Sequence, residues 1–446
     1  MKRLVIVGGG ITGLSAAWSA SRSGAKDLEI TLVEREDRLG GKIRTDSSQG
    51  YVLEQGPDSF LTSRPDALRL CEELGIAGRL VSRTPRSVPS YIAHQHVLSP
   101  LPEGFSAALP MDTAALAVSP LLSEAGRRRA LKQPSNPAWS GGDDESVASF
   151  MVRRFGEEAF ELLVEPLVGG IHAGDAGLLS VQATLPHRQA EPREDPRPQF
   201  LSFPGGMAEM TRALEERLGG VRILRGADAR AVRPRAGGYL VELSDGQKQE
   251  ADALILAVPA HEAARLASPL DPELPELIRL IPSASTVVIH LAWRRSQVPH
   301  PLDGYGYLIP SVERSDLVAC TWISQKWAGR APEGRVLVRL FAGRFGRRDL
   351  LGTPDDELFD LARAELDATL GIRAAPELRL LHRWSMGMPQ YTVGHLGRVE
   401  DIRARAAGLP GLFLAGAAFD GVGVPQCVAS GASAAASATS FLEDGR

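Results

Sequence analysis

Leu4-Val5-Ile6-Val7 is a short apolar run that stops at Gly8-Gly9-Gly10. An apolar run this short, ended by glycines, predicts a buried strand and a tight turn. Small, helix-compatible residues follow over 14–23. Residues 28–34 then alternate with β-rich character, so the N-terminal region reads as a βαβ unit. The pattern changes between 86 and 200. Residues 146–163 place Val147, Phe150, Met151, Phe155, Phe160 and Leu163 at helical spacing, with breaks at 126–129 and 186–198. This region reads as a mostly helical insertion that ends in a Pro- and Arg-rich loop over 187–199. Strand patterns return at 221–224, 239–243 and 253–258, with turn signals at Gly237-Gly238 and 244–247. Residues 286–293 and 336–341 predict strands of another sheet, and 355–370 an amphipathic helix. Residues 412–415 predict a last buried strand, leading through Gly416 into a small-residue helix that runs to Leu442.

With 446 residues the chain exceeds one compact core, so two or three domains are expected. A hydrophobic share of 43% and a charged share of 23% mark it as globular. The net charge of −4 gives no reason to expect a nucleic-acid partner. Cys71, Cys320 and Cys427 are scattered and lack metal-ligand spacing, which suggests a reducing, cytoplasmic setting. Three glycines interrupt the only signal-peptide-like start, and no apolar stretch reaches the roughly 18 residues of a membrane span.

Gly8-Gly9-Gly10-Ile11-Thr12-Gly13 fits G-x-G-x-x-G between a strand and a helix. In that pattern Gly8 allows the turn, Gly10 lets the backbone approach a pyrophosphate, and Gly13 lets the helix pack on the strand. The helix start offers free N–H groups and partial positive charge to phosphates. Glu34 ends the next strand, where a carboxylate can accept from ribose hydroxyls; the alternative is a surface glutamate. Arg38-Leu39-Gly40-Gly41-Lys42 with Thr45 permits a second close approach and resembles the R-x-G-G-[RK] signature of amine oxidase-like flavoproteins. The segment Leu414 to Val424 supplies a strand, a glycine turn and another Gly-rich helix start, able to present N–H groups to a flavin. Gly56-Pro57 fixes a turn with Ser59 within reach of the cofactor, or is a plain loop.

The chain as a whole resembles the oxygen-dependent, FAD-containing porphyrinogen oxidases of heme biosynthesis, most of all the soluble Gram-positive-type bacterial branch. The strings that carry the likeness run from end to end. They include Gly8 to Leu14, Gly40-Gly41-Lys42-Ile43, Gly56-Pro57-Asp58-Ser59-Phe60-Leu61, Glu165-Pro166-Leu167 with Ala173-Gly174-Asp175, Ala319-Cys320-Thr321-Trp322, Met388-Pro389-Gln390-Tyr391 with His395, and Gly421 to Pro425 with Cys427. The Glu165–Asp175 and Met388–His395 blocks are the specific ones. Three departures concern the pocket wall: His172 stands where relatives usually have an aromatic residue, Gln426 replaces an acidic residue, and 187–199 is short.

The resemblance implies an α/β (α+β) chain. A Rossmann-like FAD/NAD(P)-binding domain would come from 1–85, 200–265 and 400–446, and a mixed-sheet substrate domain from 86–110 and 266–399. A helical domain over 111–199 would cover the active site. It also implies non-covalent FAD held by Gly8, Gly10, Ile11, Thr12, Gly13, Glu34, Arg35, Gly41, Lys42, Gly56, Pro57, Asp58, Ser59, Ala229, Gly416, Ala417, Val422, Gly423 and Val424. Substrate-pocket candidates are Arg64 for a propionate, Gly169 and Gly170 for close backbone approach, and His172, Met388 and Tyr391 as walls. A surface role for Arg64, a simple loop at 169–170 and core roles for the others are the alternatives. Lone His172 and His395 suit structural roles.

The activity implied is a six-electron oxidation of coproporphyrinogen III to coproporphyrin III, with flavin N5 accepting hydride and O2 becoming H2O2. No side chain is assigned a catalytic role, in keeping with a cofactor that carries the chemistry. Alternatives are protoporphyrinogen IX as substrate, an amine oxidase or carotenoid desaturase, and a non-catalytic flavin-binding protein. Peripheral membrane contact and a ferrochelatase or other heme-pathway partner stay open, as does the oligomeric state.

Overall fold

The computed structural model describes residues 1–84, 88–102, 105–106, 109–110, 114–132, 143–185 and 198–445. Its first layer is a parallel sheet in which Arg222–Leu224, Leu28–Val33, Lys2–Val7, Ala253–Leu256 and Leu412–Leu414 lie side by side in that order. The strand order reverses between Lys2–Val7 and Ala253–Leu256, the switch point where an open parallel sheet receives its ligand. Both faces are covered, as such a sheet requires. Helices Ile11–Ser21, Ala208–Arg217 and Val424–Glu443 bury Leu14, Trp18, Met210, Leu214, Val428 and Ala435 against one face. On the other, Val5 and Leu254 pack with Ala263 and Ile278, and with Val399 and Ile402 of helix His395–Ala407. The first and last helices touch backbone to backbone: a Cβ at Gly431 would collide with the carbonyl of Thr12.

The second layer is a seven-stranded sheet in the order Leu378–Pro389, Ser283–Arg294, Arg335–Ala342, Leu317–Trp322, Gly306–Leu308, Tyr91–His94 and Val97–Pro100. All neighbours are antiparallel except Gly306–Leu308 with Tyr91–His94. Strand side chains alternate between faces. Val287, Ile289, Leu291 and Trp293 join Val336, Val338 and Leu340 under Leu358, Ala362 and Leu366 of helix Asp355–Leu370. Thr286, His290, Arg339 and Phe341 therefore point the other way, toward the dinucleotide sheet. Of these, Thr286 and Phe341 are only half-buried, as are Leu308, Thr321, His382 and Trp384. From this half-burial on a sheet face turned toward the dinucleotide sheet we infer a cavity between the two.

A helical cluster closes one end. The single helix expected at 146–163 is instead broken at Gly156, whose φ of +91° is not helical. Val147–Phe155 stops there, and Glu157–Ala159, a π-turn at Phe160–Val164 and helix Glu165–His172 follow. The loop expected at 187–199 lies outside the described residues up to 197. Among the described residues no helix is long and apolar enough to cross a membrane, and no cluster of His, Cys, Asp and Glu could hold a metal.

Candidate functional site

The glycine motifs converge at the carboxyl ends of the parallel strands. Gly8 leaves strand Lys2–Val7, and Gly10 caps helix Ile11–Ser21, whose first turn holds Ile11, Thr12 and Gly13. The Gly40-Gly41 loop lies on this turn, with the Gly40 N–H donating to the Gly9 carbonyl at 2.8 Å and Gly10 bridged to Gly40. A Cβ built on Gly10 meets nothing nearer than Gly41 Cα at 3.9 Å, so it points into open space between the loops. At Gly13 a Cβ would strike the Gly8 carbonyl, which makes that glycine a packing requirement. Gly416 leaves the last strand of the sheet, and a Cβ there would sit 3.6 Å from Thr12 Oγ1. Val422 and Gly423 open helix Val424–Glu443 beside it. Two helix N-termini thus meet at Thr12, each with unpaired N–H groups and partial positive charge.

Polar side chains hold the cradle. Glu34 is buried, and its carboxylate accepts from Gly9 N–H at 2.7 Å and Glu36 N–H at 2.8 Å. Gly416 N–H donates to Ser430 Oγ at 2.8 Å, and Ser430 donates to Asp420 at 2.5 Å. The Tyr391 hydroxyl donates to the Ala417 carbonyl, while its ring stacks on His395 with centroids 4.0 Å apart. Tyr391 therefore fixes the second glycine turn from behind. Tyr391→Phe removes one hydrogen bond worth about 1 kcal/mol, so flavin affinity should fall about fivefold, as equilibrium dialysis would show; an unchanged affinity would exclude this role.

Lys42 is half-buried, and desolvation pushes its ammonium down from its ordinary value, with only Cys427 pulling it up. Among the described residues no carboxylate pairs with it. An unpaired cation beside two helix N-termini and an open space at Gly10 fits an anionic pyrophosphate. Burial also pushes the Cys427 thiol up, against the pull of Lys42.

Other candidates face elsewhere. Asp58 is an ion-pair centre: Lys326 Nζ lies 2.9 Å and Arg339 Nη2 3.1 Å from its carboxylate, Trp327 Nε1 donates at 3.2 Å, and Ser59 Oγ donates at 2.9 Å. Burial would raise this carboxyl, but Lys326 and Arg339 prevail and hold it far below the usual range. Arg339 also donates to the Glu54 and Gly56 carbonyls, both at 3.0 Å, which pins the Gly56-Pro57 turn. Glu54 pairs with Arg330 at 3.0 Å, and both are buried. Sequence reading missed Arg330 and Arg339. An arginine inside the apolar run 336–341 was the available signal for Arg339, since arginine is seldom fully buried unless paired. Arg330, in a loop, gave none.

Arg35 is exposed, 3.8 Å from Glu262, and the Ala229 carbonyl accepts from Arg265 at 2.8 Å. Arg64 is exposed and has no ion pair among the described residues. Gly169 and Gly170 lie in helix Glu165–His172, not in a loop; a Cβ at Gly169 would collide with Arg344, and one at Gly170 would lie 2.8 Å from Leu308 Cδ2. His172 is buried at the end of its helix, and its carbonyl accepts from Gln390 Nε2 at 2.9 Å. Met388 is half-buried on the strand that edges the cavity.

Burial pushes three histidines down, His172 and His395 to about 4 and His290 to about 3. Their ordinary value is about 6.5, so unfolding takes up protons between about 6.5 and 3. Stability should be complete above that window and fall as pH drops through it. Urea midpoints measured between pH 7.5 and 4.5 check the sign; a midpoint that rises on acidification would contradict it.

A doubly covered parallel sheet, with two Gly-rich helix starts closing on its switch point and a second sheet flooring the cavity, defines a flavin-dependent oxidoreductase. The chain belongs to the family of flavin containing amine oxidoreductases, whose profile matches residues 11–439. Coproporphyrinogen III oxidase from Bacillus subtilis (strain 168) is 33% identical, the match covering 99% of this chain and 98% of that protein. The protein of the same name from Mycobacterium tuberculosis (strain ATCC 25618 / H37Rv) is 34% identical, over 98% and 97%. A crystal structure of a protein assigned as a protoporphyrinogen oxidase from Exiguobacterium sp. 255-15 superposes with a TM-score of 0.88 at 33% identity, covering 99% of both chains.

Proposed function

We propose that this chain is a cytoplasmic enzyme that oxidises coproporphyrinogen III to coproporphyrin III with non-covalent FAD and with O2 as final acceptor, in heme biosynthesis. The observation that carries this reading is the half-buried floor of the seven-stranded sheet opposite the two glycine turns. Thr286, Leu308 and Phe341 offer a broad, mostly apolar wall, suited to a flat tetrapyrrole. Two relatives that match this chain over nearly its whole length carry the name coproporphyrinogen III oxidase. When bound, the flavin supplies the two-electron acceptor. The Gly8–Gly13 turn, Gly41 and Lys42 would hold the pyrophosphate, and Glu34 the ribose. The Asp58–Lys326–Arg339 group would keep the Gly56-Pro57 turn fixed beside the cofactor. A thiol pushed up by burial is a poor nucleophile, so Cys427 supports non-covalent attachment.

The reaction removes three hydrides from bridge carbons and three protons, two from pyrrole nitrogens and one from the fourth bridge carbon. Six electrons and six protons leave the substrate, and three O2 become three H2O2. The competing substrate is protoporphyrinogen IX, in line with the name of the Exiguobacterium protein. Initial rates on both porphyrinogens decide: a higher kcat/KM for coproporphyrinogen III is expected, and a higher value for protoporphyrinogen IX would reverse the assignment.

A further inference from the structure

We propose that Arg314, Arg344 and Arg347 form an anion site at the rim of the cavity that takes a propionate carboxylate of the tetrapyrrole. The inference rests on the porphyrinogen reading and deepens it. Together with Ser315, Asp316 and Arg348 these residues line a pocket of ≈ 210 Å³. Its position follows from the second sheet. Arg344 comes just after strand Arg335–Ala342, and Arg314 to Asp316 come just before the neighbouring strand Leu317–Trp322. Arg344 Nη2 donates to the carbonyl of Ile309 at 2.7 Å, just past strand Gly306–Leu308. The pocket therefore sits at the ends of three adjacent strands whose Phe341 and Leu308 floor the cavity. It borders helix Glu165–His172, because Phe345 N–H donates to the Ala173 carbonyl at 2.8 Å. Phe341 and Arg344 are three residues apart, at most about 10 Å of chain, within reach of a side arm on a ring lying against Phe341.

The charges in the pocket are not balanced internally. Arg344 is buried against Glu165, and its Nε has no hydrogen-bond partner. Arg348 is engaged by Glu357 at 2.8 Å and by Asp316 at 3.7 Å. Arg314 and Arg347 are exposed, and among the described residues no carboxylate pairs with either. Ser315 Oγ accepts from Leu317 N–H at 3.1 Å, which leaves its hydroxyl hydrogen to donate. Guanidinium groups that keep free donors match a carboxylate in charge and in fork geometry. A substrate with four propionates offers more such groups than one with two, so the site would favour coproporphyrinogen III.

The test uses the flavin-loaded protein, with coproporphyrin III as a probe that binds without turnover and its tetramethyl ester as the uncharged control. The variant is Arg314→Ala/Arg347→Ala, two exposed positions whose loss does not threaten folding. Fluorescence titration should show coproporphyrin III binding weakened by about tenfold or more, with ester binding unchanged. KM for coproporphyrinogen III should rise while kcat stays nearly constant. Equal affinities in variant and wild type, with the wild type still oxidising coproporphyrinogen III, overturn this site and leave the reaction standing. Inorganic phosphate bound by the wild type and lost in the variant, with coproporphyrin III affinity unchanged, also overturns it: the site would then serve a free oxyanion. A wild type that neither oxidises coproporphyrinogen III nor binds coproporphyrin III overturns this site and the reaction together.

Discussion

Gly10→Val should give a folded protein without flavin. A Cβ at this position points into the space between the Gly8–Gly13 turn and Gly41, with its nearest neighbour 3.9 Å away. The fold has room for the side chain, but a pyrophosphate does not. Gly13 and Gly431 differ in kind, because a Cβ at either meets backbone and threatens the fold itself. Flavin affinity should drop by at least about 100-fold, ~2.7 kcal/mol, while far-UV circular dichroism and the urea midpoint of the apoprotein stay close to wild type. Stoichiometric flavin in the variant would refute the cradle; an unfolded variant would refute the claim that this space is empty.

Arg330→Met should be the most damaging single change to stability. Arg330 donates to Glu54 at 3.0 Å, and to Ser202 Oγ and the Phe203 carbonyl, both at 2.9 Å. Burial pushes the Glu54 carboxyl up even with Arg330, Thr45 and Met207 N–H pulling it down. Removing the guanidinium leaves a buried carboxylate without its main counter-ion, at a cost of about 3–5 kcal/mol. Methionine fills most of the volume, so the loss is electrostatic rather than a cavity effect. Adding Glu54→Gln, which retains hydrogen bonding without charge, should recover part of it. Urea denaturation of the wild type, the single variant and the double variant measures both effects. A double variant no better than the single would show that packing, not unpaired charge, sets the cost.

These outcomes depend on features of unequal visibility in the sequence. The parallel sheet was legible because its strands are short, apolar and ended by glycines. Its helices were legible because small residues crowd where backbone meets backbone, as at Thr12 and Gly431. Strand Leu378–Pro389 was not, because Arg379 and Arg383 stand on its helix-covered side, paired with Asp356 and Asp355, and its pairing with Ser283–Arg294 slips between Ala284 and Thr286, so no period-2 alternation survives. The helix expected over 146–163 failed at Gly156, where the apolar spacing continues through a residue with non-helical backbone. At the site, the glycine positions could be read from spacing, since a close approach leaves a local mark. The partners of Asp58 could not: Lys326 and Arg339 lie hundreds of residues away, and only the fold brings them to the Gly56-Pro57 turn. Gly169 and Gly170 read as a surface for a ring or as a simple loop; they lie in helix Glu165–His172, where an added side chain would meet Arg344 or Leu308, partners that only the fold supplies.

The central claim is that the two glycine turns hold one flavin against a cavity that admits a porphyrinogen. Anaerobic mixing of the FAD-loaded protein with coproporphyrinogen III tests it most directly, followed by admission of air. The visible flavin absorbance should bleach within the mixing experiment, and coproporphyrin III fluorescence should then grow as air restores the yellow colour. A protein that takes up no FAD, or whose flavin stays yellow in the presence of the porphyrinogen, would contradict the account.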